Sequence, residues 1–171
     1  VRHLSGRTMS PRKVPVPLHS QVHARLRGAD FHDAYEADDG LPLASAMHSW
    51  LAVVGRTPRW VDRAMDLRNA VVSRLGLKDL GRLRPGPAAE QAYIVGDRVG
   101  IFTLQQLSED EVVMTDADRH LDVWVSLLQL RAERKIVVST VVQVHNALGR
   151  LYMLPVAPVH RLIVPAMLAT S

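Results

Sequence analysis

The spacing of apolar positions changes along this 171-residue chain, and each change marks an element. Residues 29–36 alternate, so Phe31, Asp33 and Tyr35 share one face of a predicted first strand, and Asp30, His32 and Ala34 share the other. "ADDGLP" then reads as a turn, and the period lengthens. Leu43, Ala46, Met47, Trp50, Leu51 and Val54 recur at helical spacing, with Pro42 in the first turn and Gly55 just past the end. "TPRW" opens a second helix, with Thr57 as N-cap and Pro58 as first helical residue. It is expected to run to about Leu75, where Gly76 suits the left-handed position that follows many helices. Residues 79–89 are too rich in Gly and Pro for anything but a loop.

Beyond that loop the period is two. "VGDRVGIFTLQQL", "EVVMTDA", "HLDVWVSLLQLR", "RKIVVSTVVQVHN" and "RLYMLPV" read as successive strands of an antiparallel meander. "APVHRLIVPAML" returns to helical spacing. Pro158 opens this last helix, and Pro165 is expected to kink it or end it early. An antiparallel sheet with one apolar face needs a cover, and the last helix is the natural one. The expectation is an α+β domain whose curved sheet wraps around the C-terminal helix and leaves a cavity between them. Two helices are inserted after the first strand.

Alternation also constrains the central hairpin. In one strand the odd positions are apolar (Leu121, Val123, Val125, Leu127), and in the next the even ones are (Ile136, Val138, Val142, Val144). Both sets share a face only if odd residues pair with even ones, and a turn at Glu133-Arg134 achieves this. Trp124 then stands opposite Gln143, and Asp122 opposite His145, with His120 alongside.

Composition narrows the function classes. With no cysteine, disulfides, thiolate metal sites and cysteine nucleophiles are excluded. No apolar run reaches the roughly 20 residues of a bilayer span and the N-terminus lacks the apolar core of a secretory signal, so a cytoplasmic protein without membrane insertion is expected. The net charge is +4, but residues 1–27 carry six basic residues and no acid, so the remainder is net −2. A mildly acidic body does not suit a nucleic-acid surface. Residues 1–19 read as a mobile, basic, Pro-rich leader and 20–171 as a single domain.

"GADFHDAY", "DLRNAVVSRLGLK", "VGDRVGIF", "DRHLDVWVSL", "STVVQVHNALGRLY" and "PVHRLIVPAML", in that order, resemble a bacterial domain-of-unknown-function family over about residues 24–168. Members occur alone or behind an NAD-binding short-chain-dehydrogenase-like domain. The family is similar to the SRPBCC or START-like helix-grip superfamily, which includes birch-pollen-allergen-like proteins and polyketide cyclases. The resemblance implies a cavity for an apolar or polyketide-like ligand and assigns no chemistry.

Candidate chemistry gathers on few residues. His120, Asp122 and His145 could form an acid/base cluster, since a carboxylate beside an imidazole orients it and raises its pKa. They could equally be a cross-strand pair on a solvated face. Two His and one carboxylate are also an iron-type ligand set, although the spacing and helices do not match such folds, and no metal is expected. Asp33 and Tyr35 are further candidate acids or bases. Trp124, Gln143, Tyr152, Phe31 and His160 are candidate ligand contacts, with His160 read either as a rim residue or, in the reading its position favours, as a surface histidine. Asn146 reads as a structural turn residue with Gly149 at positive φ, and Trp50 and Trp60 as core. If the Asp122–His145 face looks toward the last helix, it is the site. If it looks toward water, the site lies among Asp33, Tyr35 and Tyr152.

The expected function is a cofactor-free enzyme of secondary metabolism that binds a hydrophobic, polyketide-like molecule for cyclisation, dehydration or isomerisation. The alternatives are a carrier or sensor of that ligand, and an interaction module that forms a homodimer through Trp124.

Overall fold

The structure, a computed structural model, describes residues 10–74 and 92–169. A seven-stranded antiparallel sheet forms the frame, in the order β1-β2-β7-β6-β5-β4-β3. Its strands are β1 (Arg12–Lys13), β2 (Phe31–Asp38), β3 (Arg98–Val99), β4 (Phe102–Leu107), β5 (Glu111–Ala117), β6 (Leu121–Leu130) and β7 (Lys135–Val144). Helices α1 (Ala46–Gly55) and α2 (Arg59–Arg74) fall between β2 and β3, and α3 (Ala147–Leu168) follows β7. The fold is therefore α+β, an open antiparallel sheet with a C-terminal helix. The chain segment from Gly76 through the expected Gly/Pro loop lies outside the described residues.

The period-two segments become strands because each has one face to bury. Tyr35, Val125, Leu127, Ile136 and Val138 point to one side, where they pack with Met47, Trp50, Val53 and Val54 of α1 and Val164, Met167 and Leu168 of α3. The opposite side is also covered. Val16 and Val22 lie on Ala34, Val113, Trp124, Val137 and Val141 there. The cover is the segment before β2, which forms a short 3₁₀ turn at Gln21–Leu26. Buried Glu111 holds it in place, accepting from Ser20 Oγ at 2.6 Å, Ser126 Oγ at 2.5 Å and the Gln21 amide. These donors offset the cost of burying a carboxylate. Arg12 and Lys13, within the stretch read as a leader, pair with Glu36 and Tyr35 of β2.

Several expectations need correction. "RLYMLPV" is the start of α3 and not a strand. Asn146 ends the sheet pattern there: its side chain accepts from the Gly149 amide and caps the helix. The last helix thus begins eleven residues before Pro158 and contains Pro155, Pro158 and Pro165 in its interior. Pro165 does not end it, because Val164, Met167 and Leu168 are buried against the sheet on either side of that residue. At 22 residues α3 is long and apolar enough, by length and composition alone, to cross a membrane, with Arg150 and Arg161 interrupting its apolar run. Its outward face shows Leu151, Leu154 and Leu162.

α1 starts at Ala46 and not near Pro42, with Leu43 almost fully exposed and Gly55 inside the last turn. Thr57 Oγ1 donates to the Val54 carbonyl at the end of α1. Trp60 is 42% exposed and is not core. The β6–β7 hairpin keeps the odd-to-even pairing but closes through Arg131–Arg134, not a two-residue turn. The register therefore moves by two: Asp122 faces Gln143, and Trp124 faces Val141.

Candidate functional site

Between the sheet and α3 lies a cavity of about 470 Å³, within the range of small-molecule sites. Its floor is the apolar face of β6 and β7 (Leu121, Val123, Val125, Val138, Val142), and Phe31 of β2 contributes beside them. Trp50, Val53 and Val54 of α1 and Ala64, Met65 and Leu67 of α2 close one side, and α3 supplies Met153, Val156, Val159, Ile163 and Met167. The polar lining residues are Asp116, Asp118, His120, Thr140, Tyr152 and His160.

The most unusual of the polar groups stands behind the wall. Asp33 faces Thr140 directly across β2 and β7. Its side chain is 1% exposed, and neither carboxylate oxygen has a hydrogen-bond partner among the described residues. His160 Nε2 is 3.4 Å from Asp33 Oδ1 and 3.1 Å from Thr140 Oγ1. The imidazole is edge-on to the Phe31 ring, with centroids 5.7 Å apart. An isolated buried carboxylate is costly, so the imidazole beside Asp33 is its chief compensation. Tyr35 lies on the same face of β2 in the main core, and burial together with the nearby Asp33 charge raises its phenol pKa, with Arg161 partly offsetting. Tyr35 therefore holds its proton at neutral pH.

At the other end of the cavity, Asp118 Oδ1 accepts from the His120 and Leu121 amides and shapes the turn into β6. His120 Nε2 accepts from Arg119 Nε at 2.9 Å. A guanidinium can only donate, so that ring nitrogen carries no proton, and Nδ1 is the protonated one, 3.2 Å from Asn146 Oδ1. His120 is thus a neutral, doubly engaged imidazole. Asn146 also donates from Nδ2 to the Arg119 carbonyl. Gly149 is required there by proximity and not by a positive φ: a Cβ would lie 2.4 Å from the His120 carbonyl oxygen.

The sequence candidates thus separate into two groups. Phe31, His120, Tyr152 and His160 line the cavity, with Asp33 against its wall. Asp122, Trp124, Gln143 and His145 occupy the opposite sheet face. His145 Nε2 and Asp122 Oδ2 do meet, at 3.1 Å, across a diagonal of the ladder and partly open to solvent. Gln143 Nε2 donates to the Arg25 and Arg27 carbonyls. Trp124 is buried beneath the Arg25 guanidinium, 4.8 Å from the ring centroid. His120 does not join Asp122 and His145, because its ring is tied to Arg119 and Asn146. Among the described residues no group of three or more His, Asp or Glu could hold a metal ion.

Three polar lining residues, Asp116, Asp118 and Thr140, escaped sequence reading, although two of them broke a pattern. Thr140 is the one hydroxyl in the apolar set Ile136, Val138, Val142, Val144, and Asp116 ends the apolar set Val112, Met114. A polar residue on an otherwise apolar face was the available signal.

An open antiparallel sheet with an apolar cavity under its C-terminal helix defines the class, an α+β cavity domain. Residues 25–167 match the family described as Protein of unknown function (DUF2867), and the chain belongs to that family. No curated protein and no solved structure matches it significantly.

Proposed function

We propose that this chain is a helix-grip domain of the START-like kind that binds a hydrophobic small molecule between sheet and C-terminal helix and acts on it by acid/base chemistry without a cofactor. The observation that carries the reading is the pair formed by Asp33, buried without a hydrogen-bond donor, and His160, which reaches the cavity from α3. A carboxylate beside an imidazole fixes the orientation of the ring. With Nε2 turned to Asp33 and Thr140, Nδ1 is the nitrogen left to exchange a proton with a bound molecule. Desolvation in an apolar site strengthens such interactions. Proton transfer of this kind suits enolisation, dehydration or cyclisation of a carbonyl-bearing ligand.

The pair on the opposite face, Asp122 and His145, has no part in this reading. A dimer through Trp124 is not favoured, because the chain's own Arg25 and Val22 already cover that face.

The test is a screen of polyketide-like aromatic and enone ligands, followed by variants. His160→Gln is expected to lower turnover of any substrate found by about 100-fold or more, with binding kept within a few-fold. Asp122→Asn and His145→Ala are expected to change neither. Binding with no turnover by the unaltered protein would replace the enzyme by a carrier or sensor. Turnover that survives His160→Gln and falls with Asp122→Asn would move the site to the other face.

A further inference from the structure

Among the described residues nothing covers the outward face of α3. Leu151, Leu154 and Leu162 are 61%, 71% and 65% exposed, and Pro155 and Pro158 are exposed between them. Steps of three or four residues lead from Leu151 through Leu154 and Pro158 to Leu162, which makes one stripe along the helix. The stripe continues into the cavity mouth. Pro155 and Val159 line the cavity and are exposed as well, and so is Leu67 on the α2 side, at 68%. A continuous apolar surface of this kind marks a site of contact with something else.

Charge narrows what that is. α3 contains no Asp or Glu. Its arginines, Arg150 and Arg161, are eleven residues apart, about three turns, so both lie along one flank of the stripe. Arg161 stands over the Phe31 ring, and neither arginine forms an ion pair among the described residues. Four Arg against Asp62 and Asp66 in α2, with two Arg in α3, leave the helices on either side of the mouth at net +4. Asp118 and Arg119, in the turn beside the start of α3, cancel in formal charge. A second copy is a poor occupant. Antiparallel pairing of two α3 stripes about Pro155 would set the Arg150 of each copy against the Arg161 of the other, with no acid on the helix to separate them. An apolar stripe with a cationic flank instead matches the lipid–water interface of an anionic bilayer. The prolines set the depth. Pro155 and Pro158 withdraw the amide donors that would meet the Leu151 and Leu154 carbonyls. Carbonyls without donors are tolerated among head groups and water, but not in hydrocarbon.

We propose that α3 lies in the plane of an anionic membrane surface, with Leu151, Leu154 and Leu162 in the interface, Arg150 and Arg161 against acidic head groups, and the cavity mouth toward the lipid. This docking rests on the outer face of the helix and does not depend on chemistry inside the cavity.

Co-sedimentation of the full chain with lipid vesicles tests it. Binding to phosphatidylcholine vesicles containing about 30% phosphatidylglycerol is expected to be at least about tenfold stronger than to phosphatidylcholine alone, and to weaken at about 0.5 M NaCl. Leu151→Ser/Leu154→Ser changes two exposed side chains outside the cavity lining. It is expected to reduce binding to the acidic vesicles at least about tenfold. Arg150→Gln is expected to reduce it about threefold or more, with no change on neutral vesicles. If circular dichroism shows that the double variant does not fold, Leu154→Ser alone is expected to give a loss of about threefold or more. Equal binding to both vesicle types overturns the proposal, as does binding to neither. Acidic-vesicle binding that survives the leucine substitutions also overturns it, and assigns the attraction to the basic residues before β2. A lipid-free dimer that the leucine substitutions dissociate gives the face to a second copy and overturns it too. The cavity reading above is tested separately, by its ligand screen.

Discussion

Gly149 shows how one side chain, or its absence, sets the geometry of the site. The first turn of α3 passes so close to the β5–β6 turn that a Cβ at this position would meet the His120 carbonyl oxygen at 2.4 Å and Val144 Cγ1 at 2.8 Å. The first neighbour is backbone, held by the His145 amide at 2.8 Å, so it cannot swing aside. Gly149→Ala is therefore expected to destabilise the protein by about 2–3 kcal/mol, measured by urea unfolding. A change below about 0.5 kcal/mol would show that α3 can slide away from His120. Because His160 rides on the same helix, the variant is also expected to weaken ligand binding in the cavity. Nothing in the local sequence distinguishes this role from a turn glycine. The nearby Asn146 was legible as structural, and its cap on the Gly149 amide is local, but its role as tie between α3 and Arg119 depends on a partner a full hairpin away.

The β6–β7 hairpin illustrates what alternation specifies and what it leaves free. Apolar parity requires odd residues to pair with even ones, and they do. Parity is equally satisfied by two-residue and four-residue connections, and the chain adopts the longer. Arg131, Ala132 and Glu133 form a 3₁₀ turn, and Arg134 closes it with φ 55° and ψ 45°. That left-handed conformation is costly for a residue with a Cβ and free for glycine. Arg134→Gly is expected to raise stability by about 0.5 kcal/mol, the strain relieved outweighing the added freedom of the unfolded chain. A lower urea midpoint would show that the arginine side chain stabilises the turn by more than the backbone strain costs. The first turn of α3 was misread for a related reason. Leu151, Met153 and the following proline mimic alternation, and Pro158 looks like a helix start. The cap at Asn146 and the buried far end of α3 carry the helix through all three prolines.

Across the fold, one edge of the sheet depends on pH. Glu36 of β2 accepts from Lys135 of β7 at 2.5 Å and from Arg12 of β1 at 3.0 Å, joining three adjacent strands. The Lys135 hydrogen bond, followed by that from Arg12 and by both charges, lowers its carboxyl pKa against the opposing effect of burial. A depressed folded-state pKa contributes stability above the unfolded value of about 4.3, and that contribution is lost as pH falls through the folded value. Glu36→Gln is therefore expected to lower the urea midpoint at pH 7, with the gap to the unaltered protein narrowing as pH falls below about 4.3. A gap of the same size at pH 3 would assign the effect to packing and not to charge. The two faces of the sheet also have separate fates. One takes the N-terminal cover through Glu111, and the other keeps the cavity.

Local sequence was enough to locate β2, the strands from Phe102 to Val144 and the second half of the covering helix, because each carries its period within one element and needs no distant partner to declare it. It also marked Phe31, Asp33, Tyr152 and His160 as residues to watch. Side and neighbour were another matter. Asp122 and His145 share a strand face with Trp124, but whether that face meets α3 or the N-terminal segment depends on which cover arrives. Val22 and Ser20 settle that from far away in the chain. Asp33 and His160 meet only because β2 joins the sheet beside β7 and α3 folds back over both. Burial and electrostatics act through space, and a period of two or 3.6 records only which side of an element a residue takes.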